Sequence, residues 1–201
     1  MEKKFANIIS YISHPIIVPM LGLMVISHSG TYAADIDRQY NQFIYLAVFV
    51  LTFLMPAGLM PLFAYSGLAK SMNFSERKER LIPLYITLVF YLVAYFMIRK
   101  LPVSQIYQRF LFSACLSVLF VLAISYFWKI SSHLVAWGGL VGLIISLSFR
   151  FDTDMMLFLI IGLLWTGFVG FARLKLNAHN SLQVIAGFWL GFLTMLLVFL
   201  V

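Results

Sequence analysis

Charge is what this sequence has least of. Only 10% of its 201 residues are Asp, Glu, Lys or Arg, against about 25% in soluble domains, which excludes a water-covered globular surface. Cysteine is nearly absent as well. Cys115 stands alone, so an intramolecular disulfide and a cysteine-based metal motif are both excluded. In its apolar run this thiol is expected to pack as a small hydrophobe. A solvated basic tail is missing too, because the net charge of +7 sits in short connections. Finally, no small-residue cleavage site follows Met1-Glu2-Lys3-Lys4. The first apolar stretch is therefore expected to be retained as a span and not removed as a signal peptide.

What is present is apolar side chain, 63% of the total. A spanning helix needs about 20 mostly apolar residues. Seven stretches qualify, at roughly 8–28, 42–65, 81–99, 107–128, 132–149, 154–172 and 182–201. The expected fold is all-α, a polytopic integral-membrane bundle of about six to seven helices forming one domain over 1–201. Pro15 and Pro19 interrupt the first stretch, which predicts a kinked or half-buried helix there. Small residues recur four apart at Gly138/Gly142, Gly162/Thr166/Gly170 and Gly187/Gly191. Such stripes let helix backbones approach closely, and packing within the bundle is their expected use.

Seven spans sort the connections onto two sides. Side one carries Lys3, Lys4, Lys70, Arg77, Lys78, Arg80, Lys129, Arg173 and Lys175. Side two carries Arg38, Arg99, Lys100, Arg109 and Arg150, together with Asp35, Asp37, Asp152 and Asp154. The excess of Lys and Arg predicts that side one faces the cytoplasm. The expected partners are the bilayer and anionic groups at its surface, lipid headgroups or phosphates, and no nucleic acid.

Side one also gathers three polar groups at helix ends. They are Lys70 to Pro83, Lys129-Ile-Ser131-Ser132-His133, and Arg173-Leu-Lys175-Leu-Asn177-Ala-His179-Asn180-Ser-Leu-Gln183. Singly, each reads most simply as an orientation signal, a headgroup contact or a helix cap. Together, two histidines, several guanidinium groups and free helix N-termini suit a phosphate. Arg binds phosphate oxygens in pairs, and helix-start amides add positive potential. One neutral His can attack phosphorus while a second, protonated, serves the leaving oxygen.

The spacing resembles the type 2 phosphatidic acid phosphatase superfamily of integral-membrane lipid phosphatases, whose motifs are K-x6-R-P, P-S-G-H and S-R-x5-H-x3-D. Ala172-Arg173, five residues, His179, three residues and Gln183 match the third motif in spacing, and Ile130-Ser131-Ser132-His133 is similar to the second. For the first, Lys70 and Arg77 have the separation, with Lys78 where Pro is expected, and Arg80 with Pro83 competes. The resemblance covers about residues 66–195. It implies His179 as nucleophile and His133 as general acid. Arg173 and Arg77 or Arg80 would clamp the phosphate with Lys70 and Lys78 near it, and the Ser131 and Ser132 amides would support it. It also implies no metal or other cofactor, and a phosphatidate or isoprenoid phosphate as substrate.

A bacterial cytoplasmic membrane is the expected location. The resemblance implies an outward-facing site, opposite to the charge count. Three departures stand out: Ala172 for Ser, Ile130-Ser131-Ser132 for Pro-Ser-Gly, and Gln183 for the Asp that orients the nucleophile. A neutral substitute for such a carboxylate costs about 10⁴ in turnover in serine proteases, so slow catalysis is expected, with an impaired lipid-phosphate binder or transporter as the alternative. An intramembrane protease is disfavoured because no Gly-x-Ser-Gly segment occurs. A metal site from His14, His133, His179 and Glu76 is disfavoured because no ligand pair has helical spacing.

Overall fold

A computed structural model describes residues 1–65 and 80–200. The described elements are helical: α1 (Glu2–Ile12), α2 (Val18–Ser27), α3 (Arg38–Val48), α4 (Met55–Tyr65), α5 (Leu81–Arg99), α6 (Gln105–Ser125), α7 (Ser132–Phe151), α8 (Met156–Lys175) and α9 (Ser181–Leu200). Grouped as spans, these give seven segments long and apolar enough to cross a membrane. The chain is thus an all-α integral-membrane bundle. Helices are forced on it because backbone polar groups have no water partners in hydrocarbon.

α7 is the central helix. Two thirds of its most apolar stretch (67%) is buried inside the protein, against 22–44% for the other six spans. The outer helices turn large side chains such as Phe96, Leu164 and Leu197 outward, as a lipid-facing surface requires.

The glycine stripes explain the closest packing, between α7 and α9. A Cβ on Gly191 would lie 1.8 Å from the Val135 carbonyl oxygen, and one on Gly138 would lie 2.2 Å from that of Phe188. Gly187 fits against the Ser131 carbonyl in the same way, at 2.8 Å. Backbone therefore touches backbone along this seam, and only glycine leaves room. The stripe on α8 is used more loosely: a Cβ on Gly162 would lie 3.2 Å from Ile144 Cδ1, and one on Gly170 would lie 3.6 Å from Val184 Cγ1.

Two spans are irregular, each for an identifiable cause. In the first, Pro15 cannot donate an N–H, and the chain leaves α1 for a short 3-10 turn, Pro15–Ile17, before α2 begins. The first span also starts earlier than the sequence suggests, at Glu2 and not near residue 8. Between α3 and α4, Phe49–Leu54 widens into a π-turn. Pro56 follows and offers no N–H to the Thr52 carbonyl, while the Thr52 hydroxyl bonds back to the Val48 carbonyl at 2.8 Å.

Two ends of the bundle are separated along the spans. At one, Arg109 and Arg150 donate to the Val198 and Phe199 carbonyls, the unpaired C-terminal acceptors of α9. At the other, α7 and α9 both begin, side by side.

Candidate functional site

The site is built where the starts of α7 and α9 meet the broken first span. Because α7 and α9 run parallel and touch through glycine, their N-termini, the positive ends of both helix dipoles, are neighbours. Ser131 N–H donates to the Gln183 carbonyl at 3.3 Å, tying one helix start to the other.

His179 occupies the tight connection between α8 and α9. α8 ends in a left-handed residue, Asn177 with φ 50°, and the Ala178 N–H returns to the Arg173 carbonyl. Asn180 then caps α9. Its side-chain oxygen accepts the Gln183 N–H at 2.9 Å, and the Gln183 side-chain oxygen accepts the Asn180 N–H at 3.3 Å. This is a reciprocal capping box. The same Gln183 oxygen lies 3.0 Å from His179 Nδ1. A backbone N–H can only donate, so the Gln183 atom it meets is the carbonyl oxygen. Nδ1 must then carry the hydrogen, and the lone pair of the neutral ring is at Nε2.

His179 is buried, 7% exposed. Burial lowers its pKa from 6.5 to about 4, against the opposing Gln183 hydrogen bond and with further help from the positive charges of Arg80, Arg173 and Lys129. The ring is therefore neutral at pH 7 in a positive field. Burial likewise lowers the Arg80 pKa from its usual value.

His133, in the first turn of α7, and Arg173, in the last turn of α8, meet at one residue of the first span. His133 Nε2 lies 3.2 Å from the Ser10 carbonyl oxygen and donates to it. Arg173 Nη1 donates to the Ser10 hydroxyl at 2.7 Å. The break at Pro15 is the reason. The His14 N–H turns to the Tyr11 carbonyl, leaving the Ser10 carbonyl for a partner outside the helix. Ser13 is treated alike: its carbonyl accepts from the Trp137 indole at 3.0 Å and its hydroxyl from the Trp165 indole at 2.9 Å. The His14 ring meets His133 edge-on, with centroids 5.5 Å apart. Lys175 and Glu2 form an ion pair at the outer end of α1.

The structure thus gathers His133, Arg173, His179, Gln183, Arg80 and Ser131 at one end of the bundle. Lys70, Arg77, Lys78 and Glu76 lie outside the described residues. One expectation is corrected. The Ser131 amide is not available to a ligand, because it is spent on the Gln183 carbonyl. Among the described residues its hydroxyl, on a fully buried residue, has no hydrogen-bond partner, and neither does the buried Nε of Arg173. The contribution of Ser10, Ser13, Trp137 and Trp165 was not read from the sequence, where the only signal was the pair of prolines.

Chemically, the arrangement offers a neutral imidazole with a directed lone pair, a second histidine already acting as donor, and guanidinium groups beside two helix starts. It suits an anion carrying several oxygens. Comparison of the chain with protein-family models, with curated protein sequences and with solved structures gives no match in any of the three.

Proposed function

We propose that this protein is a divergent membrane phosphatase acting on a phosphorylated lipid, a phosphatidate or an isoprenoid phosphate, through His179. The observation that carries the reading is the shared oxygen of Gln183, which holds the His179 proton on Nδ1 and leaves Nε2 as a nucleophile. In the reaction, Nε2 attacks phosphorus and the bond to the lipid oxygen breaks. That oxygen takes a proton from His133 in its protonated form, and water then hydrolyses the phosphohistidine to inorganic phosphate and free imidazole, returning a proton to His133. Arg173 and Arg80 hold the phosphoryl oxygens as charge builds on them. A bacterial cytoplasmic membrane is the location that goes with this reading.

A second reading, an impaired relative that binds or moves such lipids, is favoured by one observation. Gln183 supplies no negative charge to stabilise an imidazolium. The test is phosphate release by detergent-solubilised protein from short-chain phosphatidate, with His179→Ala as control. His179-dependent release is expected. Saturable binding without release would transfer the case to the second reading.

A further inference from the structure

We propose that α1 is a lateral gate between the bilayer and the phosphate site, latched by Ser10, and that the phosphate of a membrane lipid opens it by taking Ser10's two partners. The inference rests on the phosphate-site reading above and adds to it a route of entry.

α1 is held by little apolar burial. Of its eleven residues only Ala6, Ile9 and Ser10 are buried. Among the described residues, its main helix neighbour is α8. Phe5, Ile8, Tyr11 and Ile12 are all more than half exposed, so this face belongs to lipid. Elements with few buried apolar contacts are the ones that open first. What remains is polar: Arg173 to the Ser10 hydroxyl and His133 to the Ser10 carbonyl at the site, and Lys175 to Glu2 at the outer end of α1.

Ser10 is a weak occupant of that position. It offers Arg173 one neutral oxygen, and among the described residues the buried Nε of the guanidinium has no hydrogen-bond partner. A phosphate presents several charged oxygens and can take Nη1 and Nε together. Such paired, charged bonds are roughly twice as strong as neutral ones. The exchange therefore favours release of Ser10 when a phosphate monoester arrives and its return when the phosphate leaves. The pivot is marked as well. Ser13 is pinned by the Trp137 and Trp165 indoles, and the 3-10 turn at Pro15 follows it. Residues 2–12 can swing while α2 stays in the bundle. A lipid has to approach from the bilayer, and α1 shows lipid one face, with Phe5, Ile8, Tyr11 and Ile12, and the site the other, with Ser10.

The test follows exposure of the buried face of α1 without relying on turnover. Ile9→Cys is made with Cys115→Ala, and the protein is reconstituted in phosphatidylcholine vesicles. Labelling by a membrane-permeant maleimide is timed with added dioleoyl phosphatidate, with phosphatidylglycerol, or with inorganic phosphate. Phosphatidate alone is expected to raise the rate severalfold. An unchanged rate, or an equal rise with phosphatidylglycerol, would overturn the gate. An equal rise with inorganic phosphate would overturn the lipid as its opener. Ala6→Cys is the second variant should Ile9→Cys not fold. Phosphate release is measured on the same vesicles with the native residue at position 9. A labelling response without release keeps the gate and removes the phosphatase reading, and release without a labelling response does the reverse.

Discussion

The side-chain oxygen of Gln183 receives two N–H groups, one from the backbone of Asn180 and one from His179. It therefore caps a helix and sets a tautomer with one atom. Replacing it separates the two roles. Gln183→Asp keeps an acceptor and adds a negative charge beside Nδ1, which stabilises the imidazolium. His179-dependent turnover on short-chain phosphatidate is expected to rise. An Asp variant that folds and shows no gain over Gln183 would remove position 183 from the mechanism. Gln183→Ala is expected to lower turnover and to cost about 1 kcal/mol of stability through the lost cap.

The pH dependence follows from burial of the same ring. With His179 as the proposed nucleophile, which must be unprotonated to attack, a pKa lowered to about 4 predicts the acid limb of kcat/KM near pH 4. In Gln183→Asp that limb should move to higher pH on the same substrate, and an unmoved limb would mean that another group is titrating. Stability carries the same signature. The unfolded chain binds the His179 proton near pH 6.5, above the folded value, so this residue makes stability fall as pH drops from 6.5 to about 4, with no further change below. His179→Ala should flatten that part of a melting-temperature profile.

At the scale of elements, the α7–α9 seam and the break in the first span decide the site. The seam brings two helix starts together, and the break supplies the carbonyl and hydroxyl that hold His133 and Arg173. Glycine substitutions test the seam. Gly191→Ala would drive a methyl group into the Val135 carbonyl, so the helices must separate. The cost should exceed the 1–3 kcal/mol typical of overpacking (about that range in well-packed cores). Among the described residues, nothing lies within 4 Å of where a Cβ on Gly167 would be. Gly167→Ala should be neutral or stabilising by up to about 1 kcal/mol, since glycine is a poor helix former. Melting temperatures of the two variants in one detergent check the contrast, and equal losses would show that the seam is not the tight contact.

At the scale of the molecule, the positively charged residues do not all serve one purpose. Arg109 and Arg150 close the C-terminal end of α9, while Arg80, Lys129 and Arg173 surround His179. The Lys/Arg excess in the remaining loops, on the side of Lys3 and Lys4, predicts that this end faces the cytoplasm. With the buried Cys115 replaced by Ala, Asp35→Cys is expected to react with an impermeant maleimide on intact cells. Lys3→Cys should react only after permeabilisation. The opposite pattern would turn the molecule over and set the site on the outer face.

Composition and apolar run length by themselves determined that this is a helical membrane bundle, because a bilayer leaves the backbone few other solutions. The stripes at Gly138/Gly142 and Gly187/Gly191 were legible for the same reason, a period of four in an apolar helix. The spacing from Arg173 through His179 to Gln183 was legible too, as residues of one helix end and the next helix start. Their geometry was not. Only the tertiary structure decided that the glycine seam makes α7 and α9 parallel neighbours, and that Gln183 bonds its own helix start as well as His179. Only it decided that Ser10, 123 residues from His133 in sequence, accepts from both His133 and Arg173. Local patterns follow from neighbours in the chain, whereas a proline that frees a carbonyl says nothing about which distant donor will take it.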